Sequence, residues 1–545
     1  MKLVGKLMIF FIICNSHTIS ASNQDWWKHT TVYEIFVWSF KDSNGDGIGD
    51  IKGITTKLDY FVELGIETLW LCPFFVSPMV DFGYDVSNYY DVDPRLGTLK
   101  DFDELVAEAT KKGLKIMVDF VLNHSSDEHP WFLQSVERIE PYTDFYIWKD
   151  AKGYDKNGTP IPPNNWLSEN GKSAWKWNAK RKQFYYSIFS VHQVDFNLRN
   201  AYLKNEILNI IKFWFDKGVY AARLDATGHY FEDAQFRDEE HPEWVKNATM
   251  NSRYFADSHH EYNFNQWESY QFVHDIRDFI DSHYNTKLEK RILIVECYTD
   301  WNHTMMYYGT DTYKIAHFPF NFNLIFTTHS LSPKTMDILI KSWTERVPEH
   351  GVANWQIGNH DYKRSITNLN PECMDVMIMM VMTLPGVACI YYGQEIGMTD
   401  SRVRPDQIHD FIGRDPARAP MQWDDSMNAG FSSNIEPWLP VNPNYYHVNV
   451  ADEKKQEKTR YKLFKSLSNL RQTATLKYGD FTSYLVSKWV YAYVRSTMSP
   501  NDPRFIVIIN FGSEEEMVHL PTGIPNLPTY LKVMAASLNA GYSPG

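Results

Sequence analysis

The sequence predicts an α/β chain built on a (β/α)8 TIM barrel, with an inserted domain after strand 3 and a small C-terminal antiparallel β-domain. Three observations carry that prediction. Short apolar, β-rich runs alternate with amphipathic helical stretches, the pattern of parallel strands joined by crossover helices. About eight such units fit, enough for a barrel of ~250 residues or more. Acidic residues recur directly after several of the runs, where a barrel of this kind carries its chemistry. With 545 residues, length over ~150 as a prior gives three or four domain-sized units, so there is room for additions to the barrel.

The N-terminus reads as a secretory signal over residues 1–21. Lys2 and Lys6 form a positive start, Leu7 to Cys14 is an unbroken apolar run, and Ala21 suits a cleavage site. The run is shorter than the roughly 20 apolar residues of a membrane span. The last residues, Gly541 to Gly545, lack the hydrophobic tail of a lipid-anchor signal. The expectation is a soluble, exported protein.

The strand-like runs follow in order: Val32–Phe36, Thr68–Leu71, Leu114–Val118, Val219–Leu224, Ile292–Val295, Val352–Ile357 and Val387–Tyr391. Helical patterns over Asp101–Ala109 and Leu203–Phe215 show apolar residues at three-to-four spacing. Residues 22–124 and 201–473 make the barrel. Residues 125–200, rich in Trp, Tyr, Pro and Asn, interrupt the rhythm as an inserted domain. After about residue 474 the helices stop. Phe481–Ser487, Val490–Arg495 and Phe505–Asn510 alternate like antiparallel strands, a β-domain over 474–545.

Composition narrows the function. The formal charge of −13 argues against nucleic-acid binding and polybasic membrane contact. Aromatics make up 15 % of the chain, so rings fill a large core or line a site for flat-faced ligands. Cys72, Cys297, Cys373 and Cys389 show no CxxC spacing; packed free thiols are the simpler reading, with one bridge as the alternative. Asn157, Asn247 and Asn302 head Asn-x-Ser/Thr sites suited to a secreted glycoprotein. Asn123 heads another, inside a motif that argues against a sugar there.

The third run continues through Asp119 to Asn123-His124, the fourth ends Arg223-Leu224-Asp225, the fifth Val295-Glu296, and the run Val352–Ile357 is followed by Gly358-Asn359-His360-Asp361. One such acid alone would read as a solvated loop residue or a helix cap. Asp225, Glu296 and Asp361 at equivalent places, beside Arg223, His124 and His360, fit glycoside hydrolysis. That reaction needs a proton on the leaving oxygen and an anion beneath the developing oxocarbenium ion. Arg223 would keep Asp225 ionised. Glu296, after an apolar strand, would hold its proton and serve as the acid.

These motifs together resemble the α-amylase superfamily, glycoside hydrolase family 13, and are most similar to secreted insect maltases, which are α-glucosidases. Supporting stretches are Asp81-Phe82-Gly83-Tyr84-Asp85, Ala316 to Phe322, and Ala417 to Trp423. The resemblance implies Asp225 as nucleophile, Glu296 as general acid/base and Asp361 as the third acid, holding sugar hydroxyls. It implies Arg223 as the group positioning Asp225, His124 and His360 as sugar ligands, and Asp81 and Tyr84 as the closure of the cleavage subsite. Arg364 matches a further binding position, and Arg418 a contact on the aglycone side. The implied reaction is retaining, with the Asp225 and Glu296 carboxyls about 5–5.5 Å apart. Ala226, small and next to the nucleophile, goes in such enzymes with α-1,4 bonds. The implied activity is exo-acting removal of terminal glucose from maltose, sucrose or short maltooligosaccharides. It would take place outside the cell, with a gut lumen as one setting.

This chain departs from the pattern at Ala221-Ala222, Leu122, Val194 and Phe196. Resembling chains also continue with further strands beyond the Leu538–Pro544 region. Two rivals are an endo-acting α-amylase and a non-catalytic relative acting as a transporter-associated or receptor glycoprotein.

Asp42-Ser43-Asn44-Gly45-Asp46-Gly47-Ile48-Gly49-Asp50 follows the first strand. Oxygen donors at alternate positions with Gly47 sixth copy a calcium loop, although Gly53 stands where the bidentate acid belongs. The loop reads either as a metal-free polar turn or as a cation site. The resemblance implies a structural Ca2+ held by Asp42, Asn44, Asp46, the Ile48 carbonyl and Asp50.

Overall fold

Eight parallel strands form the central sheet: β1 Thr31–Ile35, β2 Thr68–Leu71, β3 Lys115–Phe120, β4 Ala221–Leu224, β5 Ile292–Val295, β6 Phe318–Pro319, β7 Asn354–Gln356 and β8 Val387–Tyr391. They are joined in the order β6-β5-β4-β3-β2-β1-β8-β7, which is a nearly closed barrel. The structure, a computed structural model, describes residues 2–3, 8–12, 25–246, 259–326, 331–369, 371–410, 412–520, 524–525, 527–528 and 530–540. Seven of the strands match runs legible in the sequence. The eighth, β6, has only two residues and ends on Pro319, which cannot donate to a ladder.

Most strand residues are buried on both faces, as a parallel sheet wrapped by helices requires. Side chains alternate along each strand. Tyr33, Leu69, Ile116, Val118, Ala222, Leu224 and Leu293 pack in the layer shared with the helices. Val32, Trp70, Met117, Ala221, Ile292, Ile294 and Cys389 form a separate cluster that plugs the barrel. Two residues on from those plugs, toward the C-terminal ends, the same inward face carries Glu34, Cys72, Asp119, Arg223 and Glu296. The sheet register pairs Arg223 with Asp119, which brings their side chains together. In the same cluster as Ala221, Trp70 stacks on Phe320 with ring centroids 5.1 Å apart.

The predicted helices are present as Leu99–Lys111 and Ala201–Asp216. The first is capped by Thr98 and Asp101 in a reciprocal capping box, the second by the Asn200 side chain. In the insert, Trp148–Lys149, Trp175–Asn178 and Gln183–Tyr186 form a three-stranded antiparallel sheet over Trp166, Trp175 and Tyr186. Its two ends are clasped by antiparallel pairing of His124–Ser126 with Gln193–Asp195. That clasp fixes the insert against the barrel mouth.

In the C-terminal region a helix, Ala474–Tyr478, persists past the expected last helix. The strands Asp480–Leu485, Val490–Ser496 and Arg504–Asn510 then form an antiparallel sheet. Part of the apolar run read as a cleaved leader is placed here. Met8–Ile12 lies as a strand between Arg504–Asn510 and Lys532–Ala536. A run of consecutive apolar residues suits a strand as well as a leader, and periodicity does not separate the two. Cys72, Cys297, Cys373 and Cys389 are all free thiols. Among the described residues, no helix is long and apolar enough to cross a membrane.

Candidate active site

A cavity of about 490 Å³ opens at the C-terminal ends of the strands. Its walls include Asp81, Tyr84, His124, Gln193, Asp225, Glu296, Asp361 and Arg414. The chain reaches it by short steps off the sheet. The Asp225 N–H donates to the Phe120 carbonyl, and the Glu296 N–H to the Leu224 carbonyl, extending the parallel ladder by one residue each. Both carboxyls thereby stand on the rim of the barrel.

Arg223 is the hub of the floor. Its Nη1 lies 2.7 Å from Asp119 Oδ1 and 2.6 Å from Asp225 Oδ1. Its Nη2 is 3.8 Å from Glu296 Oε2. Three carboxyls thus share one guanidinium. Burial pushes Asp119, Asp225 and Glu296 up, and Arg223 opposes this in all three. The guanidinium is closest to Asp225 and Asp119, so a proton retained in the cluster sits best on Glu296.

Ala226 orients that acid. Its backbone lies in the left-handed region, φ 51° and ψ 36°, which is uncommon for a residue with a Cβ. This turn aims its N–H at Glu296 Oε2, 2.8 Å away. The Thr227 N–H donates to the Glu296 carbonyl at 3.1 Å. The turn after Asp225 and the Glu296 carboxyl are thus held as one unit.

Asp361 stands on the opposite wall. Burial alone would push its carboxyl up, but His360, then Arg414 and Arg418, hold it well below the usual carboxylate range. Arg414 Nη1 is 3.0 Å from Asp361 Oδ1. Arg414 also pairs with Asp81 and with Asp410. Gln193 donates to Asp81 at 3.0 Å. Tyr84 lies parallel to His360, with centroids 5.3 Å apart and planes 7° apart. His124 is buried, which lowers its pKa to about 4, so its ring is neutral at ordinary pH. Its Nε2 is 2.9 Å from the Tyr84 carbonyl.

The structure therefore gathers Asp225, Glu296, Asp361, Asp81, Tyr84 and His124 on one cavity, with Arg223 and His360 directly behind them. Two other residues do not reach it. Arg364 is buried under Tyr391 and Tyr392, and its Nη1 donates to the Tyr392 carbonyl at 2.6 Å. Arg418, read as an aglycone contact, is fully buried; it braces the His360 carbonyl at 2.8 Å and Asp361 at 3.4 Å from behind. The arginine that does face the cavity is Arg414, four residues earlier. It was missed because it lies in an irregular loop, with no strand to place it. Gln193, Glu169, Phe264, Tyr298, Tyr362 and Ile412 also line the cavity unforeseen. Phe189, another lining ring, comes from the aromatic insert.

The loop after β1 makes Asx turns at alternate residues. Asp42 accepts from the Asn44, Gly45 and Gly47 amides, Asn44 from Asp46, and Asp46 from Ile48. Gly47 is obligatory: φ is +92°, and a Cβ would come within 2.7 Å of the Glu436 carbonyl. The donor set is all oxygen and suits a hard cation. Asp50 is turned toward the Ser43 and Gly53 amides. Asn157 and Asn302 are exposed, whereas Asn123 is buried and donates to Asp195 at 3.0 Å. Asn247 lies outside the described residues.

A barrel whose rim carries two carboxyls about one arginine, with a third acid opposite, is the scaffold of a glycoside hydrolase. The chain belongs to the α-amylase family: residues 34–479 match its catalytic domain. It is 40 % identical over 534 residues to Maltase 1 of Drosophila virilis, covering 94 % of this chain and 83 % of that one. It is 39 % identical to the salivary α-glucosidase of Anopheles gambiae, covering 95 % and 89 %. Among solved structures, an α-glucosyl transfer enzyme, XgtA, superposes with a TM-score of 0.79 at 33 % identity, covering 88 % of this chain and 90 % of that one.

Proposed function

We propose that this chain is a retaining, exo-acting α-glucosidase that releases terminal α-linked glucose from maltose, sucrose or short maltooligosaccharides. The observation that carries the reading is the polar cluster on the cavity wall beside Tyr84, where Asp81 accepts from Gln193 and pairs with Arg414. A chain end fits against such a wall better than the middle of a polymer. Asp225 attacks the anomeric carbon while Glu296 gives its proton to the glycosidic oxygen. The aglycone leaves as an alcohol and the glucosyl group remains as an ester on Asp225. Glu296, now a base, takes a proton from water, and the hydroxide displaces Asp225. Asp361 and His124 hold sugar hydroxyls meanwhile, and Arg223 stabilises the negative charge that returns to the Asp225 carboxylate.

Three features supplement this reading. The relative named for saliva supports export from the cell. Asn157, Asn247 and Asn302 would carry glycans. Asp42, Asn44, Asp46, the Ile48 carbonyl and Asp50 would hold a structural Ca2+, which stiffens the loop beside β1 and supplies no reaction step. The test of the activity is a panel of maltose, sucrose, maltotriose and soluble starch incubated with the purified chain. Glucose appearing first from the small sugars supports the proposal. Internal cleavage of starch without free glucose would make it an endo-amylase, and no release from any substrate a non-catalytic relative.

A further inference from the structure

One inward-facing acid has no part in the reaction above. Glu34, on β1, is 2 % exposed. Its Oε1 accepts from the His360 backbone N–H at 3.1 Å and lies 2.7 Å from His360 Nδ1. The Cys72 thiol donates to the same oxygen at 3.8 Å. On the far side of the ring, His360 Nε2 is 2.6 Å from the Tyr84 hydroxyl and 3.5 Å from Asp361 Oδ1.

A carboxylate, a thiol and an imidazole so close together could be read as a metal site. The spacing argues otherwise. Two ligands of one tetrahedral zinc, each ~2.0–2.1 Å from the ion, stand about 3.3 Å apart. Glu34 and His360 are at hydrogen-bond distance. The contact is protonic.

We propose that Glu34 is a positioning residue for the glycosidic reaction: its carboxylate keeps a proton on His360 Nδ1 and fixes the ring, so that Nε2 faces Tyr84 and Asp361 at the cleavage subsite. The inference rests on the glycosidase reading for its consequence, but not for the contact itself. An ionised carboxylate only accepts, so the nitrogen facing it must carry hydrogen. An amide in its place can turn either end to the ring and leaves the tautomer open. The groups facing His360 are Glu34 from β1, Cys72 just after β2, Tyr84 from the following loop, Asp119 from β3, Asp361 beside it and Arg418 at its carbonyl. Of these only Glu34 contacts Nδ1. Burial pushes the Glu34 carboxyl up and His360 opposes it, as expected for an acid whose ionised form depends on that ring.

The test is a double-mutant cycle with Glu34→Gln and His360→Ala, read as kcat/KM and KM on a chromogenic α-glucoside. Carboxylates that orient metal-bound histidines are worth about 10–100-fold, and the lower end serves as the expectation for a ring that holds no metal. Glu34→Gln should therefore cost about 10-fold or more, chiefly in kcat, in the wild-type background and less than about 2-fold when His360 is already Ala. Equal losses in both backgrounds, or a wild-type loss under about 2-fold, would overturn the proposal. If Glu34→Gln does not fold, 15N NMR of histidine-labelled wild-type protein decides. A His360 resonance with Nδ1 protonated supports the proposal, and an unprotonated Nδ1 refutes it. That spectrum also separates the failures: an inactive wild type would end the glycosidase reading while the tautomer still reports on the pair.

Discussion

Arg414→Met removes a charge while keeping much of the side-chain length, and its effect can be sized from the contacts. Arg414 faces three carboxylates, those of Asp81, Asp361 and Asp410, and its side chain is 11 % exposed. Two of these belong to the proposed sugar pocket. A hydrogen bond to a charged group is worth about 1.5–3 kcal/mol, so losing the pair to Asp81 and Asp361 costs about 3–6 kcal/mol before relaxation. Protonation of one carboxyl and water entering the cavity would return part of that. A net loss of about 3 kcal/mol corresponds to roughly 100-fold in kcat/KM. The assay is steady-state hydrolysis of maltose and a nitrophenyl α-glucoside, with circular dichroism confirming the fold. Arg414→Lys should recover part of the loss, because one ammonium cannot satisfy three carboxylates in the way a planar guanidinium does. An Arg414→Met enzyme within 3-fold of wild type would refute the argument that this arginine shapes the pocket.

Further outcomes follow from the same geometry. Glu296→Gln should lower kcat by about 10²–10⁴ and remove the alkaline limb of the pH–rate profile, since a group held protonated by burial no longer titrates. Ala226→Val should destabilise the chain and slow catalysis, because a β-branched residue is placed at φ 51°; thermal melts and kinetics check both. Burial lowers His29 and His124 to about 4 and His129 to about 3, so the unfolded chain binds protons that the native chain does not. Stability should therefore fall as the pH drops from about 6.5 toward 4, with His124→Gln flattening the slope of Tm against pH. Chelation of calcium should lower Tm; an unchanged melt would count against the loop from Asp42 to Asp50 as a cation site.

Much of the barrel was legible because most of its strands are short, continuous apolar runs set between amphipathic helices. β6 was not, since two residues ending in Pro319 leave no periodicity to read. The acids Asp225, Glu296 and Asp361 were legible because each directly follows a strand or its short extension, where the register leaves little freedom. Arg414 and Arg418 show the opposite case. Both lie in the long irregular segment after β8, and only the folded chain decides that the first faces the cavity and the second braces it from behind. Glu34 was within reach of sequence reasoning. It stands two residues after Val32 on β1, so the two-residue alternation of a strand turns it inward, onto the layer of Asp119 and Arg223. The run Met8–Ile12 shows where hydropathy stops discriminating, because a leader and a strand can share the same composition.

The central claim, that Asp225 and Glu296 carry out a double displacement, is tested most directly by following maltose hydrolysis with proton NMR in the first minutes, before mutarotation. The account predicts that the glucose released from the non-reducing end appears as the α anomer. Release of β-glucose would mean single displacement by water and would contradict the assignment of Asp225 as nucleophile.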